Sequence, residues 1–245
     1  MHLQFVGCGD AFGSGGRLNT CFHVVGEGAN LLIDCGASSM IGLARLGIAP
    51  DAIDTILITH FHGDHFGGIP FFILDAQFVR KRRRPLTIAG PAGIESWYAR
   101  ALEAAFEHSS KTRQAFDVRI VALPERAATA IGALRVTPFP VVHGNSGGPF
   151  FAYRIELENR VIAYSGDTEW TDALIEVSRD ADLFVIECYA YDKPIRNHLD
   201  LGTIERNLPR ITAKKTILTH MNADMLAHSD QVRHLTASDG MVVKF

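Results

Sequence analysis

Six consecutive residues, His60-Phe61-His62-Gly63-Asp64-His65, carry four side chains able to ligate a cation or move a proton, and they directly follow the apolar run Thr55-Ile56-Leu57-Ile58. Neither helical nor strand periodicity puts positions 60, 62, 64 and 65 on one apolar side. Burial in a core face therefore does not account for them, and they belong on a loop. Imidazole and carboxylate are the donors that zinc and similar borderline ions favour. Three more candidates end short apolar runs: Val141-Val142 leads to His143, Ile162-Ala163-Tyr164-Ser165-Gly166 to Asp167, and Ile217-Leu218-Thr219 to His220. Open α/β sheets gather their ligands outside the carboxyl ends of strands, which is where these residues would stand. Gly63, Gly144 and Gly166 beside them allow tight backbone turns. A solitary histidine is more often a hydrogen-bonded structural residue, so it is the joint arrangement that points to a metal centre.

The elements that must position these groups follow from hydrophobic periodicity. Residues 3–6, 21–25 and 31–33 read as strands joined by glycine-rich turns, an opening β-meander. From residue 54 the pattern turns α/β, with a strand over 55–58 and helix-like stretches over 69–82 and 94–108. A second meander is expected over 117–122, 134–138, 150–156 and 161–164, where β-branched and aromatic residues concentrate. The alternation then returns: helix over 170–178, strand over 183–186, helix over 203–208 and strand over 216–218. Two halves of this form bury their apolar faces by packing sheet on sheet with helices outside. The expected class is α/β (α+β), a four-layer αββα sandwich forming one domain over residues 1–245.

At 245 residues and 47% hydrophobic side chains, the chain is long and apolar enough for such a core. A net charge of -3 gives no global positive field for nucleic acid or an acidic membrane. No apolar run approaches the length of a membrane span and no basic-then-apolar leader opens the sequence, so a cytoplasmic protein is expected. Cys8, Cys21, Cys35 and Cys188 are scattered without a Cys-x-x-Cys pair and read as small reduced core residues.

The segment His60-x-His62-x-Asp64-His65, followed at a distance by His143, Asp167 and His220, resembles the signature of the metallo-β-lactamase superfamily, and the resemblance spans essentially the whole chain. It implies two divalent ions per chain, with His60, His62 and His143 on one, Asp64, His65 and His220 on the other, and Asp167 bridging. It also implies chemistry through metal-bound hydroxide. Superfamily members with a di-iron redox centre carry Glu where this chain has His62, so the resemblance implies zinc, with manganese or iron left open.

Fold membership leaves the substrate undecided. The opening loop Val6-Gly7-Cys8-Gly9-Asp10-Ala11-Phe12-Gly13-Ser14-Gly15-Gly16-Arg17 with Asn19-Thr20 resembles the ribonuclease Z and cyclic-phosphodiesterase branch, although an ordinary glycine-rich turn would look the same. Asn197-His198-Leu199-Asp200 places a histidine where that branch contacts the scissile phosphate, which implies that His198 protonates the leaving oxygen while Asp64 and Asp167 orient the nucleophile. The competing reading has His198 capping the next helix together with Asp200. The order Glu187, Cys188, His198 also fits that branch. The long glycine- and proline-rich arm that grips transfer RNA in ribonuclease Z is not found, so the expected substrate is a small nucleotide or cyclic phosphodiester rather than a large nucleic acid. Lactone, thioester or sulfate-ester hydrolysis on the same site is the alternative, followed by transfer-RNA 3′ processing. A binding protein that has lost the reaction is disfavoured by the complete ligand set.

Arg80-Lys81-Arg82-Arg83-Arg84 reads either as a phosphate grip or as a solvated helix end. Trp97, Tyr98 and Trp170 offer base stacking, with core packing as the plainer task for the first two. His2, His23, His108, His228 and His234 have no motif around them, and a homodimer is the default assembly.

Overall fold

A computed structural model describes residues 1–144 and 148–245. The first half runs β1 (His2–Gly7), β2 (Cys21–Gly26), β3 (Ala29–Ile33), α1 (Ser39–Arg45), β4 (Thr55–Leu57), α2 (Gly63–Phe66), α3 (Ile69–Leu74), β5 (Leu86–Gly90), α4 (Ile94–Ala105) and β6 (Val118–Ala122). The second runs β7 (Thr129–Ile131), β8 (Leu134–Pro140), β9 (Phe151–Leu157), β10 (Arg160–Tyr164), α5 (Ala173–Ser178), β11 (Leu183–Glu187), α6 (Leu201–Asn207), β12 (Thr216–Thr219), α7 (Ala223–Ala227) and β13 (Val242–Lys244). One sheet has the order β13-β1-β2-β3-β4-β5-β6 and the other β12-β11-β10-β9-β8-β7.

Strand periodicity builds the layers. In β3, Leu31 and Ile33 enter the core between the sheets while Leu32 points outward; in β11, Leu183 and Val185 do the first and Phe184 and Ile186 the second. Such strands are apolar throughout because both faces are covered. Phe22 joins the sheets, its ring 5.0 Å from Phe5 in its own sheet and 5.0 Å from Tyr164 across the gap, both edge-on. Each aromatic fully buried here contributes about 1.5–3 kcal/mol. Outside the first sheet, Leu43, Phe72 and Leu102 from α1, α3 and α4 cover Leu32 and Ile56. Outside the second, Val177, Ile204 and Met225 from α5, α6 and α7 cover Phe184 and Leu218. The four-layer αββα expectation holds.

Residues 118–122 depart from it. They do not open the second meander but close the first sheet, pairing parallel to β5 from Leu86↔Val118 to Gly90↔Ala122. β5 lay unrecognised behind the basic run, and with it α4 and β6 form a crossover unit whose helix returns the chain to the same sheet. The helix expected over 69–82 ends at Leu74, continues as a single wider turn over Asp75–Val79 and stops before the arginines.

The basic run meets neither of its expectations at its centre. Arg82 is 1% exposed. Its guanidinium donates to the carbonyls of Ile53 (2.6 Å), Arg84 (2.8 Å), Pro85 (2.8 Å), Asp51 (3.2 Å) and Pro50 (3.3 Å). It is a structural clamp that satisfies the loop carbonyls ahead of β4 and β5, which no strand partner reaches. Among the described residues, no helix is long and apolar enough to cross a membrane.

Candidate metal centre

All seven donors read from the sequence converge where the carboxyl ends of both sheets' strands meet. The first sheet delivers His60 and His62 on the loop after β4, and Asp64 and His65 on α2. That loop is held against the turn after β3: Cys35 N–H donates to the His65 carbonyl at 2.7 Å and Ala37 N–H to the Gly63 carbonyl at 3.1 Å. The packing needs glycine at position 36, where a Cβ would lie 2.2 Å from the Asp64 carbonyl oxygen. The second sheet delivers His143 after β8, Asp167 after β10 and His220 after β12. Gly166 turns the chain into Asp167 with φ +58°, and a Cβ there would stand 2.5 Å from the Phe151 carbonyl oxygen. Gly63 has no such duty: it starts α2 with open space where a Cβ would be.

The donor atoms form two adjacent groups. One atom from each of His60, His62 and His143 lies within 4.8 Å of the others, and the same holds for Asp64, His65, Asp167 and His220. His62 Nδ1 is 3.1 Å from both His60 Nε2 and His143 Nε2. Asp167 Oδ2 lies between the groups, 3.1 Å from His220 Nε2, 3.2 Å from His65 Nε2 and 3.7 Å from His143 Nε2. Six of the seven are buried, and His62 stands at the solvent edge.

The electrostatics call for positive charge at this point. Burial raises Asp167, but His220 and His65 outweigh it and hold the carboxyl well below its usual range. Burial lowers His65, yet Asp167, Asp64 and Asp34 push it well above an ordinary imidazole. Burial and the neighbouring His65 drive His60 well below, leaving it neutral with a lone pair to offer. Against burial, the carboxylates likewise raise His220, so the field at both imidazoles favours positive charge where a cation would stand. The other oxygen of Asp167, Oδ1, is buried without a hydrogen-bond partner. An orphaned carboxylate oxygen amid imidazoles fits divalent cations of zinc type.

Sequence reasoning did not find the groups that orient these donors. Asp34, fully buried after β3 with φ +58°, lies 2.7 Å from His65 Nδ1 and accepts from the Thr59 N–H at 2.8 Å. Thr59 Oγ1 is 2.8 Å from Asp34 Oδ2 and 3.1 Å from His60 Nδ1, so one carboxylate steadies a histidine in each group. Thr20 Oγ1 stands 3.3 Å from His220 Nδ1, and the Asn197 carbonyl 2.8 Å from His143 Nδ1. Asp34 carried the same signal as the donors that were found, a polar residue directly ending an apolar strand.

His198 lies at the rim, with a ring nitrogen within 4.8 Å of donor atoms of His143 and Asp167. It does not cap α6: Asp200 does, accepting from Thr203 N–H at 2.8 Å. His198 Nδ1 instead meets Glu187 Oε2 at 3.0 Å, and its ring stacks on Tyr189 at 4.3 Å. Glu187 is fully buried at the end of β11 and also accepts the backbone N–H groups of Thr168 and Leu199. Burial lowers His198, but the Glu187 carboxylate more than reverses this and lifts it to about 9. The cleft over these groups has a volume of about 280 Å³. Trp97 and Tyr98 are absent from its lining; Trp97 stacks on Phe61 at 5.3 Å, under Arg100.

Residues 1–239 match the profile of a family described as Anti-Pycsar protein Apyc1. The chain belongs to that family. An Apyc1 protein of Paenibacillus harenae is 29% identical over 239 aligned residues, covering 96% of this chain and 95% of its own length. Ribonuclease Z of Geobacillus kaustophilus is 27% identical over 281 aligned positions, covering 91% of this chain and 89% of itself. The metallo-β-lactamase fold protein YhfI of Bacillus subtilis superimposes with a TM-score of 0.78 at 21% identity, covering 99% of this chain and 98% of that one. This Apyc1-family chain is therefore a hydrolase of the metallo-β-lactamase fold, related to ribonuclease Z.

Proposed function

We propose that this protein is a phosphodiesterase for a small cyclic phosphodiester such as a cyclic nucleotide. It would work with two divalent ions of zinc type, one held by His60, His62 and His143 and the other by Asp64, His65 and His220, with Asp167 between them. When bound, the pair supplies Lewis acidity, drawing charge from the phosphoryl oxygens and acidifying water. The observation that carries the reading is the Glu187–His198 pair at the rim of the donor cluster. With Nδ1 committed to Glu187, the imidazole keeps Nε2 free, and the buried Glu187 carboxylate beside it favours the protonated ring. Cleavage of a phosphodiester expels an alkoxide that needs a proton, and His198 is the acid placed to give it. Glu187 acts as its positioning residue.

Two observations support a small substrate. The cleft of about 280 Å³ falls just below the span of ligand pockets, which run from roughly 300 to 1,000 Å³. The alignment to ribonuclease Z also spans 281 positions, more than this chain has residues, so that enzyme carries segments without counterpart here.

The test is a panel on one metal-loaded preparation: 3′,5′- and 2′,3′-cyclic nucleotides, bis-p-nitrophenyl phosphate, a lactone and a thioester. Cyclic phosphodiesters should be the best substrates, and a preference for lactone or thioester would refute the assignment. His198→Ala should lower kcat on a cyclic nucleotide about 10²-fold with metal content intact. The loss should be smaller on bis-p-nitrophenyl phosphate, whose p-nitrophenolate departs without a proton. Equal losses on both would remove His198 as the acid.

A further inference from the structure

Phe12 is 83% exposed, the most exposed large apolar side chain among the described residues, yet the turn that carries it is tightly held. The carboxylate of Asp10, itself 0% exposed, accepts the backbone N–H groups of Phe12 (3.2 Å) and Ser14 (2.9 Å) through Oδ1 and the Ser14 hydroxyl (2.8 Å) through Oδ2. Asn19 Nδ2 donates to the Asp10 carbonyl at 3.0 Å. Gly13 and Gly15 take φ of +68° and +65°, and Gly15 packs where a Cβ would stand 2.8 Å from Leu226 of α7. Such a turn is built to present its tip in one place.

That place is the mouth of the candidate metal centre. Ala11 and Phe12 line the same cleft as Asp64, Asp167 and His198. The base of the turn is joined directly to the donor cluster: His220 N–H donates to the Cys8 carbonyl at 3.0 Å, and Gly9 forms a backbone bridge to Met221. The backbone of Phe12 is therefore held at a set place relative to the groups that would act on a phosphate. An exposed aromatic side chain anchored beside this cleft has a complement in the flat heterocycle of a nucleotide, because bases stack on aromatic side chains whatever their hydrogen-bonding edge.

We propose that Phe12 is a substrate-binding residue, the platform on which the base of a nucleotide substrate stacks while its phosphate occupies the metal centre. The inference rests on the phosphodiesterase reading above and deepens it. It assigns the aromatic contact to a residue from the opening turn rather than to Trp97 or Tyr98, which pack in the core layer over the first sheet.

The test compares two substrates that share the scissile ring, a nucleoside 3′,5′-cyclic phosphate and the methyl riboside 3′,5′-cyclic phosphate that lacks the base. The quantity read is the ratio of their kcat/KM values, nucleotide over riboside, on the metal-loaded full chain. Phe12→Ala should lower that ratio about 10-fold, chiefly through KM for the nucleotide, and Phe12→Trp should retain it. A ratio that stays within twofold of wild type in Phe12→Ala overturns the platform while leaving the phosphodiesterase reading intact. A change in the sedimentation coefficient of Phe12→Ala would show instead that the ring seats a second copy of the chain, which also overturns it. If the wild-type protein cleaves neither cyclic phosphate, the phosphodiesterase reading falls and the platform with it.

Discussion

Replacing Asp34 by Asn tests whether a carboxylate outside the donor set controls the metal centre. Asp34 Oδ2 lies 2.7 Å from His65 Nδ1 and 2.8 Å from Thr59 Oγ1, while Oδ1 accepts the Thr59 N–H at 2.8 Å. As an acceptor, Asp34 fixes the His65 proton on Nδ1 and leaves Nε2 facing Asp64 and Asp167, 3.3 and 3.2 Å from their nearer oxygens. An amide that keeps its oxygen toward Thr59 turns an NH₂ toward His65 Nδ1. The imidazole must then carry its proton on Nε2, where ligation is blocked, or rotate away. Loss of such an orienting partner costs about 10- to 100-fold in metal affinity, equivalent to about 1.4–2.7 kcal/mol. The loss should fall on the ion proposed for Asp64, His65 and His220. Burial outweighs the His65 and Thr59 contacts and raises the Asp34 pKa, so the substitution should show in metal affinity more than in the stability of the metal-free fold. The assay is a zinc titration against a competing chelator, with bound metal counted by mass spectrometry and the apo unfolding midpoint measured beside it. Two binding steps of wild-type affinity would refute the argument. An equal weakening of both steps accompanied by a lowered apo midpoint would show that Asp34 merely supports the fold.

Asp167→Ala should disturb both ions and bring metal content below one equivalent per chain, because its Oδ2 stands between the two donor groups; retention of two equivalents would show that it does not bridge. Arg82→Ala should cost about 3 kcal/mol or more in denaturant unfolding by removing a donor from five carbonyls, and Arg82→Lys should recover less than half, since a lysine cannot fan out to the same carbonyls. Asp182 bonds Lys214 Nζ at 2.8 Å, the Val161 N–H at 2.9 Å and Arg160 at 3.0 Å, and these partners outweigh its burial and lower it to about 2. Its folded pKa lies below its unfolded value, so its stabilisation is present above about pH 4 and disappears as the pH falls through 2. Asp182→Asn should therefore cost about 1 kcal/mol at neutral pH, after allowance for solvent screening of the two exposed cations, and nothing at the acid end of a urea series.

The donors were legible because a ligand must be a polar group in an apolar context, and His60, His143, Asp167 and His220 each break such a run. What orients them was not, since Asp34, Thr59 and Thr20 act through distances across the fold that no local pattern encodes. Glu187 was noted only for its place in the sequence, and its role emerges when β11 brings it beside His198. The layers were legible from alternation in β3 and β11, whereas the sheet to which residues 118–122 belong was not. Strand periodicity identifies a strand but not its neighbour, and β5, the element that decides the pairing, is five residues long and hidden behind arginines. The same arginines show how composition misleads: a run that looks solvated has at its centre a buried side chain whose hydrogen bonds go to backbone carbonyls.

The donors arrive in two instalments, His60, His62, Asp64 and His65 from one sheet and His143, Asp167 and His220 from the other. A polypeptide emerging from the ribosome has thus made only part of a chelator until its last strands are in place. If the protein holds the two ions proposed above, their capture would be a late checkpoint on assembly, one that an incompletely docked or truncated chain would fail, confining hydrolytic competence to molecules whose halves have closed on each other.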